Sequence, residues 1–102
     1  MTLAQSHPLE RLLRVGLDSP FVQNALNKLV QDQITHETAE LKRLRPRLGK
    51  YETRYNMPSE TFFTRYQNGE LEDSMDFFEW NVLYKMFLDS QHRLHVLQGE
   101  EE

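Results

Sequence analysis

The sequence has no cysteine, four glycines, four prolines and one tryptophan among its 102 residues. Without cysteine the chain forms neither a disulfide framework nor a thiolate zinc site, which is compatible with a reducing compartment. No stretch approaches the roughly 20 consecutive apolar residues that span a bilayer. The N-terminal stretch MTLAQSHPLERLL has neither a basic leader nor an apolar run of signal length. We therefore expect a soluble cytoplasmic protein that does not associate with membranes.

Residue patterns typical of catalytic and metal sites are also missing. No glycine-rich phosphate loop occurs, and no serine has the sequence context of a nucleophile. His92 and His95 lie three residues apart but have no third ligand at the spacing of a metal site. The segment HETAE, residues 36–40, lacks the second histidine of the zinc-protease motif. We expect no catalytic residue, no metal and no cofactor, and we interpret the chain as non-enzymatic.

Helix formers dominate the chain, and no segment shows the alternation of apolar and polar residues that is typical of a strand. Pro8 suits the first turn of a helix and Gly16 suits its end. Asn56 tolerates the left-handed conformation that ends another helix. These signals predict a single all-α domain over residues 1–102, with an acidic tail, residues 98–102, that frays. Its helices are predicted at about residues 8–15, 20–55, 59–67 and 74–97.

The second predicted helix carries an apolar heptad seam that is interrupted only at Glu37 or Thr38. It runs through Pro46, which removes one intrahelical hydrogen bond and is expected to kink or to split the helix. A helix over residues 20–55 would be about 54 Å long, roughly twice the diameter of a compact chain of this size. Its back half suits a long antiparallel hairpin with the last helix. The seam consists of Val30, Ile34, Leu41, Leu44, Leu48, Tyr51 and Tyr55.

The front half of this second helix is left with apolar side chains that the hairpin does not cover. These side chains are expected to contact the short first helix, a second copy of the chain or a different protein. Because so short a chain has little core, we favour a homodimer formed by coiled-coil-like helix packing. The predicted dimer or partner surface comprises Phe21, Val22, Ala25, Leu26, Leu29 and Val30.

Residues 70–79 concentrate five carboxylates and no cation at the start of the last helix. Phe78 and Val82 point away from the main apolar stripe of that helix, which predicts a second, exposed interface. The helix dipole also favours acidic residues in a first helical turn, so a solvated helix terminus is the alternative interpretation. The predicted partner-binding residues are Glu70, Glu72, Asp73, Asp76, Phe78, Glu79 and Val82.

Residues 42–54 carry six cations against the single acid Glu52, although the whole chain has a net charge of -4. Such a segment could bind a nucleic acid backbone by releasing counterions. Alternatively, its cations form a solvated face or pair with the acids of residues 70–79. A nucleic-acid-binding or autoregulatory protein is therefore one alternative function, and a structural homodimer without a ligand is another. The candidate nucleic-acid-binding residues are Lys42, Arg43, Arg45, Arg47, Lys50 and Arg54.

The order of motifs in LGKYETRYNM, residues 48–57, and PSETFFTRYQNGELEDSMDFFEW, residues 58–80, resembles a family of small all-helical proteins of bacteria and archaea. Many of its members are antitoxin-like partners of small toxins in two-gene modules. The resemblance covers about residues 20–97 and departs from the family pattern at Asn56, where glycine is common, and at Pro58, where a capping serine is usual. It implies an antitoxin-like protein that binds and masks a cognate toxin encoded by a neighbouring gene.

Overall fold

A computed structural model describes residues 7–100, and in this range the chain forms α-helices joined by short connections. No strand occurs between residues 7 and 100, so the predicted all-α class is confirmed. Within the same range no helix combines the length and the apolar character that a bilayer crossing needs. The helices are α1 (Pro8–Val15), α2 (Pro20–Tyr55), α3 (Ser59–Gln67) and α4 (Met75–Leu97).

The ends of the helices follow local signals in the sequence. Gly16 ends α1 with φ 113°, and Asn56 follows α2 with φ 52°, in the left-handed region that asparagine tolerates. Ser74 precedes α4, and its Oγ accepts a hydrogen bond from the backbone N–H of Phe77 at 3.0 Å. This bond satisfies one of the free N–H groups of the first helical turn. Ser74 therefore caps α4, which begins one residue later than predicted, at Met75.

The C-terminal end of α4 is closed by backbone hydrogen bonds. Gly99 has φ 72° and donates its N–H to the carbonyl of Val96 at 3.0 Å, while Glu100 donates to the carbonyl of His95 at 2.9 Å. This pair of bonds is the Schellman arrangement, which satisfies carbonyls at a helix end. Residues 98–100, predicted as part of a frayed tail, are thus bonded to the helix, and residues 101–102 of that prediction lie outside the described residues.

The chain divides into two compact units, Met1–Gln33 and Ile34–Glu102. In the described part of the first unit, residues 7–33, Val22 is the one buried hydrophobic side chain. Gln23 Nε2 donates to the carbonyl oxygen of Leu17 at 2.5 Å and thereby joins the start of α2 to the turn before it. The single domain predicted for the whole chain stays a prediction.

The second unit contains the hydrophobic core, which is built from the back half of α2 together with α3 and α4. Phe62 and Trp80 are fully buried and stack with their ring centroids 3.9 Å apart. Tyr51 stacks on the same indole ring with a centroid distance of 5.7 Å. Aromatic side chains therefore supply much of the burial. The buried core residues are Leu44, Leu48, Tyr51, Phe62, Phe77, Trp80, Leu83 and Phe87.

Within the second unit, the earlier residues of α2 contact the later residues of α4, and the later residues of α2 contact the start of α4. Arg93 Nε of α4 donates to Glu37 Oε2 at 2.8 Å, whereas Arg54 pairs with Asp76 at 2.8 Å near the start of α4. The two segments therefore run antiparallel, as in a helical hairpin. Glu37 is only 1% exposed and occupies the interruption of the predicted seam, while Thr38 is exposed.

Pro46 lies inside α2, which continues through it without a break. Of the two expected effects of this proline, a split helix is therefore excluded. Leu44 and Leu48 on either side of Pro46 are buried in the core, and the guanidinium of Arg45 lies 4.9 Å from the ring centroid of Phe87. These contacts with α4 hold the helix together although the proline removes one backbone hydrogen bond.

Candidate protein-interaction site

Helix α4 has a second apolar face that the hydrophobic core does not cover. Met75, Phe78, Val82 and Met86 follow one another at spacings of three and four residues, which places them along one side of the helix. They are 81%, 58%, 38% and 38% exposed, respectively. The buried residues of α4 point to the opposite side of the helix. We term these four residues the outer face of α4.

Two open grooves lie on the outer face, and both are lined in part by Met75 and Phe78. Each groove combines apolar atoms with at least one carboxylate. This combination offers apolar contact to an aliphatic stem and a carboxylate to a cation, as in the side chains of lysine and arginine. The first groove, of about 470 Å³, is lined by Tyr66, Asp73, Ser74, Met75 and Phe78. The second, of about 360 Å³, is lined by Met75, Asp76, Phe78, Glu79 and Val82.

Asp76 and Glu79, two of the predicted partner-binding acids, are hydrogen-bonded to α2. Asp76 accepts a hydrogen bond from the hydroxyl of Tyr55 at 2.6 Å and one from Arg54 at 2.8 Å. These bonds, that of Tyr55 first, hold the pKa of Asp76 below its ordinary value. Glu79 accepts a hydrogen bond from the hydroxyl of Tyr51, which raises the pKa of Tyr51 to about 12. Both acids therefore help to fix the register of α4 on α2.

The other predicted acids lie in the connection between α3 and α4. Asp73 Oδ1 lies 3.4 Å from the hydroxyl of Tyr66, and Glu70 Oε1 lies 3.5 Å from Arg65 Nε. Among residues 7–100, no hydrogen bond or ion pair involves the side chain of Glu72. All three acids are exposed. Glu72 and Asp73 therefore leave negative charge without a paired cation next to the outer face of α4.

Four of the six cations in residues 42–54 contact other side chains of the chain. Arg45 lies over the ring of Phe87, as described above. Lys42 and Lys50 are exposed, and neither forms an ion pair within residues 7–100. Pairing between the basic segment and the acids of 70–79 is thus observed, and it leaves fewer free charges for a nucleic acid backbone. The ion pairs join Arg43 to Glu40 at 2.5 Å, Arg47 to Glu79 at 3.3 Å and Arg54 to Asp76 at 2.8 Å.

The surface predicted on the front half of α2 is present only in part. Val22 is fully buried within the single chain, so its side chain is not available to a partner, contrary to the prediction. Apolar spacing did not identify which of these residues the chain itself covers, and the role of the others in an interface stays a prediction. Ala25 and Leu26 are half-buried, and Phe21, Leu29 and Val30 are 68%, 59% and 36% exposed.

Two residues of the outer face and one buried charge were not predicted from the sequence. Met75 and Met86 extend the outer face beyond Phe78 and Val82, and their spacing from these two residues is the signal that could have identified them. The third is Glu37, whose charge interrupts an apolar seam. Its carboxylate is buried and pairs with Arg93 of the facing helix, whose side chain is half exposed.

A further pocket, of about 210 Å³, lies between α2, α3 and α4 in the second unit. Several of its polar groups are bonded within the fold, because Glu52 Oε2 accepts the backbone N–H of Ser59 at 3.0 Å and Arg45 lies over Phe87. Burial, and then the charges of nearby glutamates, raise the pKa of Tyr84 at its edge. The first contact holds the start of α3 to α2 and the second joins α2 to α4, so we assign this pocket to the fold.

Among residues 7–100 no three histidine, aspartate or glutamate side chains are grouped so that they could hold a metal ion. When the chain is compared with protein family models, with curated proteins and with solved structures, none of them matches it.

Proposed function

We propose that the chain is a non-enzymatic interaction protein of the antitoxin type, which binds and masks a cognate toxin through the outer face of α4. The observation that carries this proposal is the exposed run of Met75, Phe78, Val82 and Met86 on a helix whose other side is packed in the core. A helix that is apolar on both sides is typical of an element that is covered on both sides in its working state.

The charge beside this face favours a basic partner. Glu72 and Asp73 are exposed acids, and both grooves beside Phe78 carry carboxylate oxygens. Complementary charge would speed the encounter with a basic protein and fix its register. If the toxin acts on nucleic acid, its own phosphate-binding surface is basic, and the carboxylates would occupy that surface while Phe78 and Val82 supply apolar burial.

We also propose that the chain works as a homodimer in the cytoplasm. The low apolar content of a chain of 102 residues supports self-association, because so small a core stabilises a fold only marginally. The lack of cysteine and the resemblance to proteins of two-gene toxin modules support the cytoplasmic location.

Co-expression with the product of the neighbouring gene tests the proposed function. We expect the tagged chain to purify with that product, and we expect the double variant Phe78→Asp with Val82→Asp to lose it. Both side chains are exposed, so the variant should keep the helical circular dichroism of the wild type. Reversing charge with Glu72→Lys and Asp73→Lys should weaken the complex and its rate of formation.

Val96→Asp is the matched control, because Val96 is 46% exposed on the same helix but lies beyond the outer face. This variant should retain the complex. No complex with the wild type, or a complex that tolerates both the apolar and the charge-reversal variants, contradicts the proposal.

A further inference from the structure

In the described part of the first unit, more large hydrophobic side chains are exposed than buried. Within residues 7–33 only Val22 is a buried hydrophobic side chain, whereas seven large hydrophobic side chains are between 36% and 68% exposed. These exposed residues lie on α1, on the first part of α2 and in the turn between the two helices. They are Leu9, Leu13, Val15, Leu17, Phe21, Leu29 and Val30.

A unit with so small a core requires a further source of stability. Segments shorter than about 40 residues usually depend on disulfides, a metal or oligomerisation. The chain has no cysteine, and the described residues contain no group of three metal ligands. Of these three, oligomerisation is the one for which residues 7–33 offer a surface, because their large hydrophobic side chains are exposed.

Charge indicates which protein surface this is. Residues 1–33 contain three acids and three bases, so the first unit is electrically balanced, although the whole chain has a net charge of -4. Lys28 and Asp32 already pair with each other at 2.6 Å within the chain. The two remaining acids and two remaining bases can oppose each other when this surface meets its own copy across a twofold axis. The charged residues are Glu10, Arg11, Arg14, Asp18, Lys28 and Asp32.

The outer face of α4 differs in this respect. Asp73 lines one of its grooves, and within residues 7–100 this carboxylate forms no ion pair, so two copies of this face would bring unpaired carboxylates together. Like charges opposed across an interface disfavour that association. The two apolar surfaces therefore fit different partners, which are a basic protein for α4 and an uncharged or balanced surface for the first unit.

We infer that residues 9–30 form a twofold-symmetric homodimer interface, in which the same residues of a second copy cover Leu13, Phe21 and Leu29. This inference rests on the homodimer of the proposed function and assigns it a surface. Phe21 is the central anchor, because it is an aromatic side chain that is 68% exposed in the single chain and aromatic anchors dominate interface energies.

The mass of the full chain in solution tests the inference. Sedimentation equilibrium from about 1 to 100 μM, a range that covers micromolar dimers, should give twice the monomer mass of 12.2 kDa. The double variant Phe21→Asp with Leu29→Asp should weaken dimerisation at least a hundredfold and sediment as a monomer. The matched control, Phe78→Asp with Val82→Asp, places the same charges on the outer face of α4 and should stay dimeric.

A wild type that is monomeric throughout this range overturns the inference. So does a Phe21→Asp, Leu29→Asp variant that still dimerises, a control variant that dissociates, or a species larger than a dimer. Sedimentation with anionic phospholipid vesicles is the remaining comparison, and a monomer that binds vesicles through the first unit overturns the inference in favour of a membrane surface. If the chain dimerises but forms no complex with the toxin, only the masking function is rejected. If the chain binds the toxin as a monomer, only the dimer interface of residues 9–30 is rejected.

Discussion

Ser59 is 3% exposed at the start of α3, and its Oγ accepts the indole N–H of the fully buried Trp80 at 2.9 Å. Its own backbone N–H donates to Glu52 Oε2 at 3.0 Å. One small residue thus links α2, α3 and α4. An apolar side chain at this position would leave the buried indole N–H of Trp80 without an acceptor. Leaving one partner of a buried hydrogen bond unsatisfied costs more than replacing both partners by apolar groups.

Replacing Ser59 by alanine should lower the free energy of unfolding by about 1–3 kcal/mol, because the indole N–H loses its acceptor inside the core. Urea unfolding followed by the fluorescence of the single tryptophan measures this loss. Thr61→Ala is the control, since Thr61 is exposed on the same helix, and its effect should stay within about 0.5 kcal/mol. Equal midpoints for the two variants would show that the hydrogen bond contributes nothing.

The raised pKa of Tyr51 predicts how the stability of the fold changes at alkaline pH. Its pKa is raised to about 12 by the hydrogen bond to Glu79 and by burial, whereas an unfolded tyrosine ionises near pH 10. Because the folded pKa is the higher one, this contact stabilises the fold fully below about pH 10 and stops doing so as the pH rises to about 12.

The variant Glu79→Gln should therefore lower the pKa of Tyr51 and reduce the loss of stability between pH 10 and pH 12. Tyrosinate absorbance follows the ionisation, and unfolding free energies at the two ends of this range follow the stability. Glu72→Gln removes a carboxylate that bonds to no tyrosine within residues 7–100, so it should leave both curves unchanged. An identical titration of Glu79→Gln and wild type would refute the assigned cause.

At the scale of helices, the boundaries could be predicted because they depend on short-range signals. A left-handed Asn56, a capping Ser74 and a terminal Gly16 act on their immediate neighbours, and the sequence displays them directly. The burial of Glu37 could not be predicted in this way. It depends on Arg93, which is 56 residues away in the sequence and reaches Glu37 only through the register of two helices.

The same limit applies to the candidate site. Helical periodicity was sufficient to predict that Phe78 and Val82 point away from the core, which their exposure confirms. It does not give the alignment of α4 with α2, so it could not predict that Asp76 and Glu79 are bonded to tyrosines. Periodicity gives the faces of one helix, whereas the contacts of a residue depend on how two helices are aligned.

Two glycines allow a prediction about the helices and their connections. A Cβ atom at Gly49, inside α2, or at Gly69, after α3, would meet no heavy atom within 4 Å. They differ in backbone conformation, because Gly69 has φ 74° while Gly49 lies in the interior of a helix. Gly49→Ala should raise the free energy of unfolding by about 1 kcal/mol. Gly69→Ala should lower it by about 1–2 kcal/mol, because alanine is strained at positive φ.

Thermal unfolding measures both substitutions, since 1 kcal/mol shifts Tm by about 4–8 °C in a domain of 60–100 residues. Each variant is the control for the other, because both add one methyl group to free space. A change of the same sign in both would mean that backbone conformation does not decide the effect.

At the scale of the whole chain, charge is distributed unevenly, and part of this unevenness is used within the second unit. Arg47 and Arg54 of the basic segment pair with Glu79 and Asp76 of the acidic one. Because exposed ion pairs contribute little to stability, the larger effect of these pairs is on what the basic segment can bind. Carboxylates that already neutralise two arginines compete with phosphates for the same guanidinium groups.

The double variant Asp76→Asn with Glu79→Gln should therefore increase the affinity of the chain for duplex DNA. It frees Arg54 and Arg47, and the slope of log affinity against log salt should steepen by about 1–2, close to one unit for each added phosphate contact. Fluorescence anisotropy with a labelled duplex, at several salt concentrations, measures both quantities. A mixed-sequence duplex is sufficient, because phosphate contacts do not depend on the bases.

Glu72→Gln with Glu100→Gln is the matched control, because it changes the net charge equally without breaking an ion pair among residues 7–100. If both double variants gain affinity equally, net charge alone explains the gain, and the ion pairs do not limit the binding of phosphates by Arg47 and Arg54. If the wild type already binds with a steep salt slope, the arginines exchange their carboxylates for phosphates freely. That result would favour nucleic-acid binding by residues 42–54 over the masking of a toxin.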